Sequence, residues 1–324
     1  MMGLGSISPR FNIHWRHLQT FLLFATVAVC CLGMGVVHAK SGEEVLDSEQ
    51  IAYFVDYDIP FPFELRVNDV IVAGGTQAGP GPETLNDYIL ESGEQSVTLR
   101  VWAPDDYNGG QLRPRDILAL TEAGDRPPTL YMVDKRTDEF KKLRALAFAP
   151  VDHNLPFVEQ TWHFNAEVPY TLEGWRSSED LSLWDREELE QATVARFSEL
   201  RNLLNSGDGK GFVDELAASN EELFVSNYFP RKKRREFVVN LEEVYGSLKG
   251  LVPPVENYRI RIMGSGRAVT LEATGKYQGH GVLTTEDTKE GTVYLISVVL
   301  HKPKDSKELE VARITGWITG MEIE

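Results

Sequence analysis

The chain has 324 residues, with 33 Lys or Arg against 49 Asp or Glu, a formal net charge of −16. Hydrophobic residues make up 42 % and charged residues 25 %, which excludes collagen, a disulfide-stapled miniprotein, a polytopic membrane protein and a wholly disordered chain. A field of this sign repels nucleic acid and anionic lipid and favours basic partners. At roughly 100–200 residues per domain, the length predicts two domains.

Residues 1–17 carry Arg10 and Arg16 and no acid, and Leu18 to Ala39 carries no charge. The apolar run FLLFATVAVCCLGMGVV ends at Val37-His38-Ala39, before Lys40. A basic start, an apolar middle and small residues at −3 and −1 describe a secretory signal peptide over 1–39. The run is also long enough for an uncleaved membrane anchor. A lipoprotein at Cys30 fits less well, because Val27-Ala28-Val29 puts bulk where a small residue is wanted. Cleavage after Ala39 removes Cys30 and Cys31, so no disulfide, thiolate metal site or cysteine nucleophile is expected in the mature chain. It leaves 31 basic against 49 acidic residues, a net −18. A thiol-free exported chain places the protein in a bacterial periplasm.

Residues 40–176 read as an all-β sandwich domain. Phe63 to Val67 alternates apolar and charged, and Asn68-Asp69 turns it into Val70-Ile71-Val72. Ser96 to Trp102 alternates with Val97, Leu99 and Val101 on one face. Leu130 to Val133 and Ala145 to Phe148 are further short runs. The stretches FELRVNDVIV and LNDYILESGEQSVTLRVW resemble a jelly-roll pattern of carbohydrate-binding-type sandwiches. The resemblance implies the sandwich and does not carry sugar binding. A sugar site needs exposed aromatic platforms, for which Trp102, Tyr107, Trp162 and Trp175 are candidates; core packing is the competing reading.

Residues 177–324 change rhythm. Asp185 opens a helix, with Glu188 three residues on in a capping-box arrangement. Leu189, Thr193, Phe197, Leu200 and Leu204 form its apolar stripe, and Asn205 to Gly209 stops it. A short helix is expected around Phe212, Val213 and Leu216. A third carries Phe237, Val238, Leu241, Val244, Tyr245 and Leu248, and Gly250 and Pro253-Pro254 end it. Strands follow at Tyr258–Ile262, Arg267–Thr274, Thr292–Leu300 and Leu309–Ile323, the third of them central and buried on both faces. The order of elements and the segment FSELRNLLNSGDGKGFVDEL resemble the NTF2-like superfamily. That resemblance implies an α+β domain of helices on a curved antiparallel sheet, with a pocket at its open end. The expected fold is thus an N-terminal β-sandwich followed by this domain. Enzymes and non-enzymatic relatives share such a pocket, so the fold does not decide function.

An acid–base pocket would draw on Glu272, Tyr277 and His280 as ligand-pocket candidates. Asp152-His153 and His163 lack an HxH or HExxH spacing, so no metal is expected. Met263-Gly264-Ser265-Gly266 lacks the full Gly-x-Ser-x-Gly pattern and fits a hairpin. Walker-type loops are absent, and no catalytic residue or cofactor is expected. The basic run Arg231, Lys232, Lys233, Arg234 and Arg235 opposes the macrodipole of the helix it opens. It is either a solvated helix start balanced by nearby acids or a protein-docking patch.

The expected function is an exported, non-enzymatic binding protein of the bacterial envelope with a protein partner of basic character. Its sharper form is an immunity protein that neutralises a secreted toxin. No nucleic-acid partner is expected, and membrane contact only through an uncleaved N-terminal segment. A small-molecule enzyme or carrier using the NTF2-like pocket, and a glycan-binding surface protein, are the alternatives.

Overall fold

A computed structural model describes residues 49–320, apart from 77, 122, 123, 125 and 126. The expected signal segment 1–39, with Cys30 and Cys31, lies outside these residues, as does the end of the last expected strand. The chain is a β-rich α+β protein whose sheets are antiparallel. No helix among the described residues is long and apolar enough to cross a membrane.

The first sheet joins β1 (Ile51–Asp56), β4 (Glu83–Thr84), β6 (Thr129–Asp134) and β7 (Glu139–Ala145) in the order β4-β1-β6-β7. The second joins β2 (Phe63–Val67), β3 (Val70–Gly75), β5 (Gly93–Trp102) and β8 (Phe157–Ala166) in the order β8-β5-β2-β3. Asn68 and Asp69, at φ 48° and 65°, form the two-residue loop between β2 and β3. Positive φ at both loop residues matches the right-handed twist of the strands it joins, and Asn and Asp tolerate it. Val97, Leu99 and Val101 of β5 are buried, and Val55, Leu65, Val67, Leu130 and Trp162 join them in one apolar cluster. The expected strand at Ala145–Phe148 lies earlier, at Glu139–Ala145.

Four helices follow: α1 (Arg186–Ser206), α2 (Gly209–Glu215), α3 (Ala217–Ser226) and α4 (Arg231–Gly246). Asp185 caps α1 by accepting the amides of Glu187 and Glu188 at 2.9 and 3.1 Å. Leu189, Thr193, Phe197, Leu200 and Leu204 are the buried stripe of α1, and Gly207 ends it at φ 79°. The second helix is capped by Asp208, which accepts the Gly211 amide at 2.8 Å. The sequence reading contained no counterpart of α3. Of the apolar face expected for the last helix, Tyr245 is buried, Phe237, Val238 and Leu241 are half-buried, and Val244 is exposed. Leu248, just past its end, is buried.

The third sheet contains β9 (Tyr258–Met263), β10 (Ala268–Ala273), β11 (Thr285–Asp287), β12 (Thr292–His301) and β13 (Glu310–Gly320). Its long central strand β12 pairs with β10 and β11 along one edge and with β13 along the other. Ile296, Val298 and Leu300 of β12 pack with Phe197, Leu200, Phe212 and Leu271 in a second apolar cluster. Val299 instead joins the first cluster, together with Met263, Ala268 and Ala312. This sheet therefore has helices on one face and the first two sheets on the other.

The start of α2 meets the end of α4 backbone to backbone. A Cβ on Gly209 would stand 2.0 Å from the Glu242 carbonyl oxygen and 2.6 Å from the Gly246 nitrogen. Backbone cannot swing aside as a side chain can, so Gly209→Ala is expected to lose about 2 kcal/mol or more of stability. Gly250→Ala, at φ 76° in open space, should cost only about 1 kcal/mol. Urea unfolding with unchanged m-values would measure the contrast.

Candidate functional site

The polar centre of the molecule lies where β9 and β10 meet β2. The β9–β10 register sets Arg259 opposite Glu272 and Arg261 opposite Thr270. Glu272 is only 3 % exposed. Arg259 donates to its Oε1, and Arg261 Nη1 donates to its Oε2 at 3.0 Å. The same Arg261 reaches Glu64 of β2 with both terminal nitrogens, at 2.7 and 3.0 Å. Such forked pairing is the strong geometry for a guanidinium and a carboxylate. Glu64 also meets Arg66 at 3.2 Å, and Arg66 Nη2 donates to Glu159 of β8 at 2.7 Å. Burial alone would lower the Arg261 guanidinium, but Glu64 and Glu272 outweigh it and hold it above its ordinary value.

His280 belongs to the same place. Its carbonyl accepts the Ala273 amide at 2.8 Å, and its ring lies on the backbone of Gly75. A Cβ on Gly75 would stand 2.8 Å from His280 Nε2. Burial holds the imidazole below its usual value against the opposing pull of the Glu272 charge. Tyr277 is not part of this group. Its hydroxyl donates to Glu286 at 2.6 Å, and it is raised by burial and by the Glu286 charge.

A shallow pocket of about 280 Å³ opens here, lined by Glu64, Glu272, Arg259, Trp102, Thr76 and Gln278 among others. That volume includes space open to solvent, and it has room for about one water molecule. Both oxygens of the Glu272 carboxylate are taken up by guanidiniums, so Glu272 serves here as the countercharge of Arg259 and Arg261.

A second polar group, absent from the sequence reading, joins β1 to α3 and β13. Asn86 accepts the Tyr53 amide at 2.8 Å and donates to the carbonyls of Ile51 and Ser226 at 2.9 and 3.2 Å. Arg313 Nε donates to the Asp87 carbonyl at 2.7 Å, and Nη1 to Glu222 at 2.6 Å. The Asp87 carboxylate accepts from Ser226 and Asn227. Burial still raises its pKa, and raises nearby Glu83 to about 8 with help from the Asp87 charge.

The other sequence candidates fall elsewhere. Arg234 donates to Glu221 at 3.1 Å and lies over the Phe224 ring, whereas Arg231, Lys232 and Arg235 are exposed and Lys233 is half-buried. Trp162 and Trp175 are buried in the first cluster; Trp102 and Tyr107 are half-buried. Ser265 sits in the β9–β10 turn, where its amide donates to Asp69 at 3.0 Å. His153 pairs with Asp152 at 2.7 Å on an exposed loop. Among the described residues no group of three or more His, Cys, Asp or Glu side chains could hold a metal ion. No family model, curated protein or solved structure matches the chain.

Removing Arg261 would leave Glu64 with Arg66 alone and the buried Glu272 with Arg259 alone. Arg261→Met is therefore expected to cost about 2–4 kcal/mol, measured by urea unfolding, with much of the loss recovered when Glu64 and Glu272 are also made apolar. Glu83 gives a test in pH. Its folded value is about 8 and its ordinary value 4.5, so folding takes up a proton between them. Its contribution to stability falls as pH rises through that window and is flat above it. Glu83→Gln should gain on the order of 1–2 kcal/mol at pH 8 and almost nothing at pH 4.5, read from unfolding at the two values.

Proposed function

We propose that this chain is an exported, non-enzymatic binding protein of the bacterial envelope that captures a basic protein partner, in its sharper form an immunity protein against a secreted toxin. One observation carries the reading. The acid and base that could have formed a reactive pair, Glu272 and His280, are built into the junction between the second and third sheets, with both Glu272 oxygens held by arginines. The pocket beside them has room for about one water molecule, whereas ligand sites usually enclose about 300–1,000 Å³. Chemistry spent on that junction leaves the surface as the working part, and the surface carries the acidic excess of a chain of net charge −16.

In this reading the first two sheets form a jelly-roll-type sandwich over residues 40–176, and residues 177–324 form an NTF2-like variant. The order of α1 to α4 before an antiparallel sheet supports the second assignment. The segment 1–39 directs export, the periplasm is the site of action, and neither cofactor nor nucleic acid takes part.

A glycan-binding reading has one observation of its own. Phe54 and Tyr131 stack at 5.3 Å and 13°, and Phe140 stands edge-on to Phe54 at 5.8 Å. Phe140 is 68 % exposed, so these three rings offer the platform that the four sequence candidates do not. A glycan array with no signal that Phe140→Ala removes would end this second reading.

Two measurements test the first. Isolation of the chain from an envelope fraction should bring down a basic protein whose association rate falls about tenfold or more between 0.05 and 0.5 M salt. Deleting the gene should make cells sensitive to their toxin-producing siblings; full fitness, with no toxin encoded nearby, would overturn the immunity form.

A further inference from the structure

The basic run that opens α4 is only half of the pattern on that helix. Lys232, Arg235, Glu236, Val239, Asn240 and Glu243 are all exposed and recur at spacings of three and four, so they share one outward stripe. The stripe is basic at its start and acidic at its end, with an apolar residue between. Val239, at 41 % exposed, lies midway between Arg235 and Glu243, four residues from each. Among the described residues neither Arg235 nor Glu243 makes an ion pair within its own chain, whereas Arg234 on the flank is tied to Glu221.

This arrangement is self-complementary under reversal. Turn a second copy of the helix antiparallel about a two-fold axis at Val239, and Arg235 of each copy faces Glu243 of the other. Lys232 of each copy comes level with Gly246 of the other, about one turn from Glu243, and Glu236 with the half-buried Glu242, so the two Arg235–Glu243 pairs carry the complementarity. An isologous contact uses each pair twice, which is what a closed dimer requires. The order of charges also runs against the helix macrodipole, which disfavours cations at a start and anions at an end. A partner helix of opposite direction relieves both ends at once.

We propose that two copies of this chain associate through antiparallel α4 helices, with Val239 on the axis and Arg235 paired to Glu243 across it. The occupant of this helix face is thus a second copy, and the argument for it is the complementarity of the stripe to itself. A 16-residue helix is about 24 Å long, and one helix pair covers less than the roughly 1,200–2,000 Å² of a stable interface. The association is accordingly weak, with Kd on the order of 100 μM. At about 0.15 M salt the Debye length is near 8 Å, so the general repulsion of two acidic chains is screened more than the contacting pairs are.

Sedimentation of the chain as purified, from about 5 to about 500 μM in 0.15 M salt, tests this. The wild type should pass from monomer to dimer. Glu243→Arg and Arg235→Glu, each placing like charges opposite one another twice, should weaken the dimer about tenfold or more. The double variant R235E/E243R should restore it, because the pairs are then merely exchanged. Unchanged unfolding midpoints in all three variants separate this from misfolding, and rescue separates it from association driven by any other part of the chain. A wild type that stays monomeric overturns the proposal, as do single variants that dimerise like wild type. Single variants that weaken the dimer without rescue in the double variant overturn it equally.

Discussion

Arg261 holds two carboxylates that are far apart in sequence, and the way the third sheet meets the second depends on it. Glu272 comes from the neighbouring strand of the same hairpin and Glu64 from a strand nearly two hundred residues earlier. A lone buried carboxylate costs several kcal/mol, so Glu272 can occupy the seam only if its charge is met there. Two guanidiniums meet it, and one of them closes the fork with Glu64. Once those atoms are in place the strands stand close, and the backbones of Gly75 and Gly279 come together where a Cβ on either would collide with its neighbours.

The second junction follows the same logic with different groups. Arg313 leaves the sheet to hold an Asp87 carbonyl and a Glu222 carboxylate, while Asn86 satisfies three backbone groups of β1 and α3. Buried ionic contacts of this kind add little net stability compared with an apolar filling. Their effect is directional, because a mismatched docking would leave charges unpaired at a cost of several kcal/mol. A hydrophobic seam between two sheet faces could slide, whereas a fork between Arg261 and Glu64 has one register.

The parts legible in the sequence are those whose signal is local. The α1 stripe and its Asp185 cap were readable because a single helix face is buried against one cluster. The Asn68-Asp69 turn was readable because few residues accept positive φ. Strand β7 was displaced because EFKKLRA is an exposed edge strand with no buried face to impose alternation. Strand β8 was missed for a related reason, since most of its residues face solvent. Helix α3 was missed because its buried positions include Ser219, Asn220 and Ser226, which break an apolar stripe while serving the second junction. The candidate site was legible in its members and not in its role. Glu272 and His280 do come together, but nothing local says that arginines from β9 will neutralise one and a glycine backbone will cover the other.

The fate of the arginines also changes what the net charge means. Arg66, Arg196, Arg234, Arg261 and Arg313 are each paired with acids of their own chain, and several of these pairs are largely shielded from water. A buried pair cancels locally and contributes nothing to the outer field. The field that a partner meets is set by the unpaired surplus, which is negative, so the acidic balance is a property of the surface more than of the interior. Helix α4 is the local exception. Its outward stripe keeps both signs exposed and ordered from basic to acidic, and an ordered pair of opposite signs presents its complement when reversed, which a uniform acidic face cannot do.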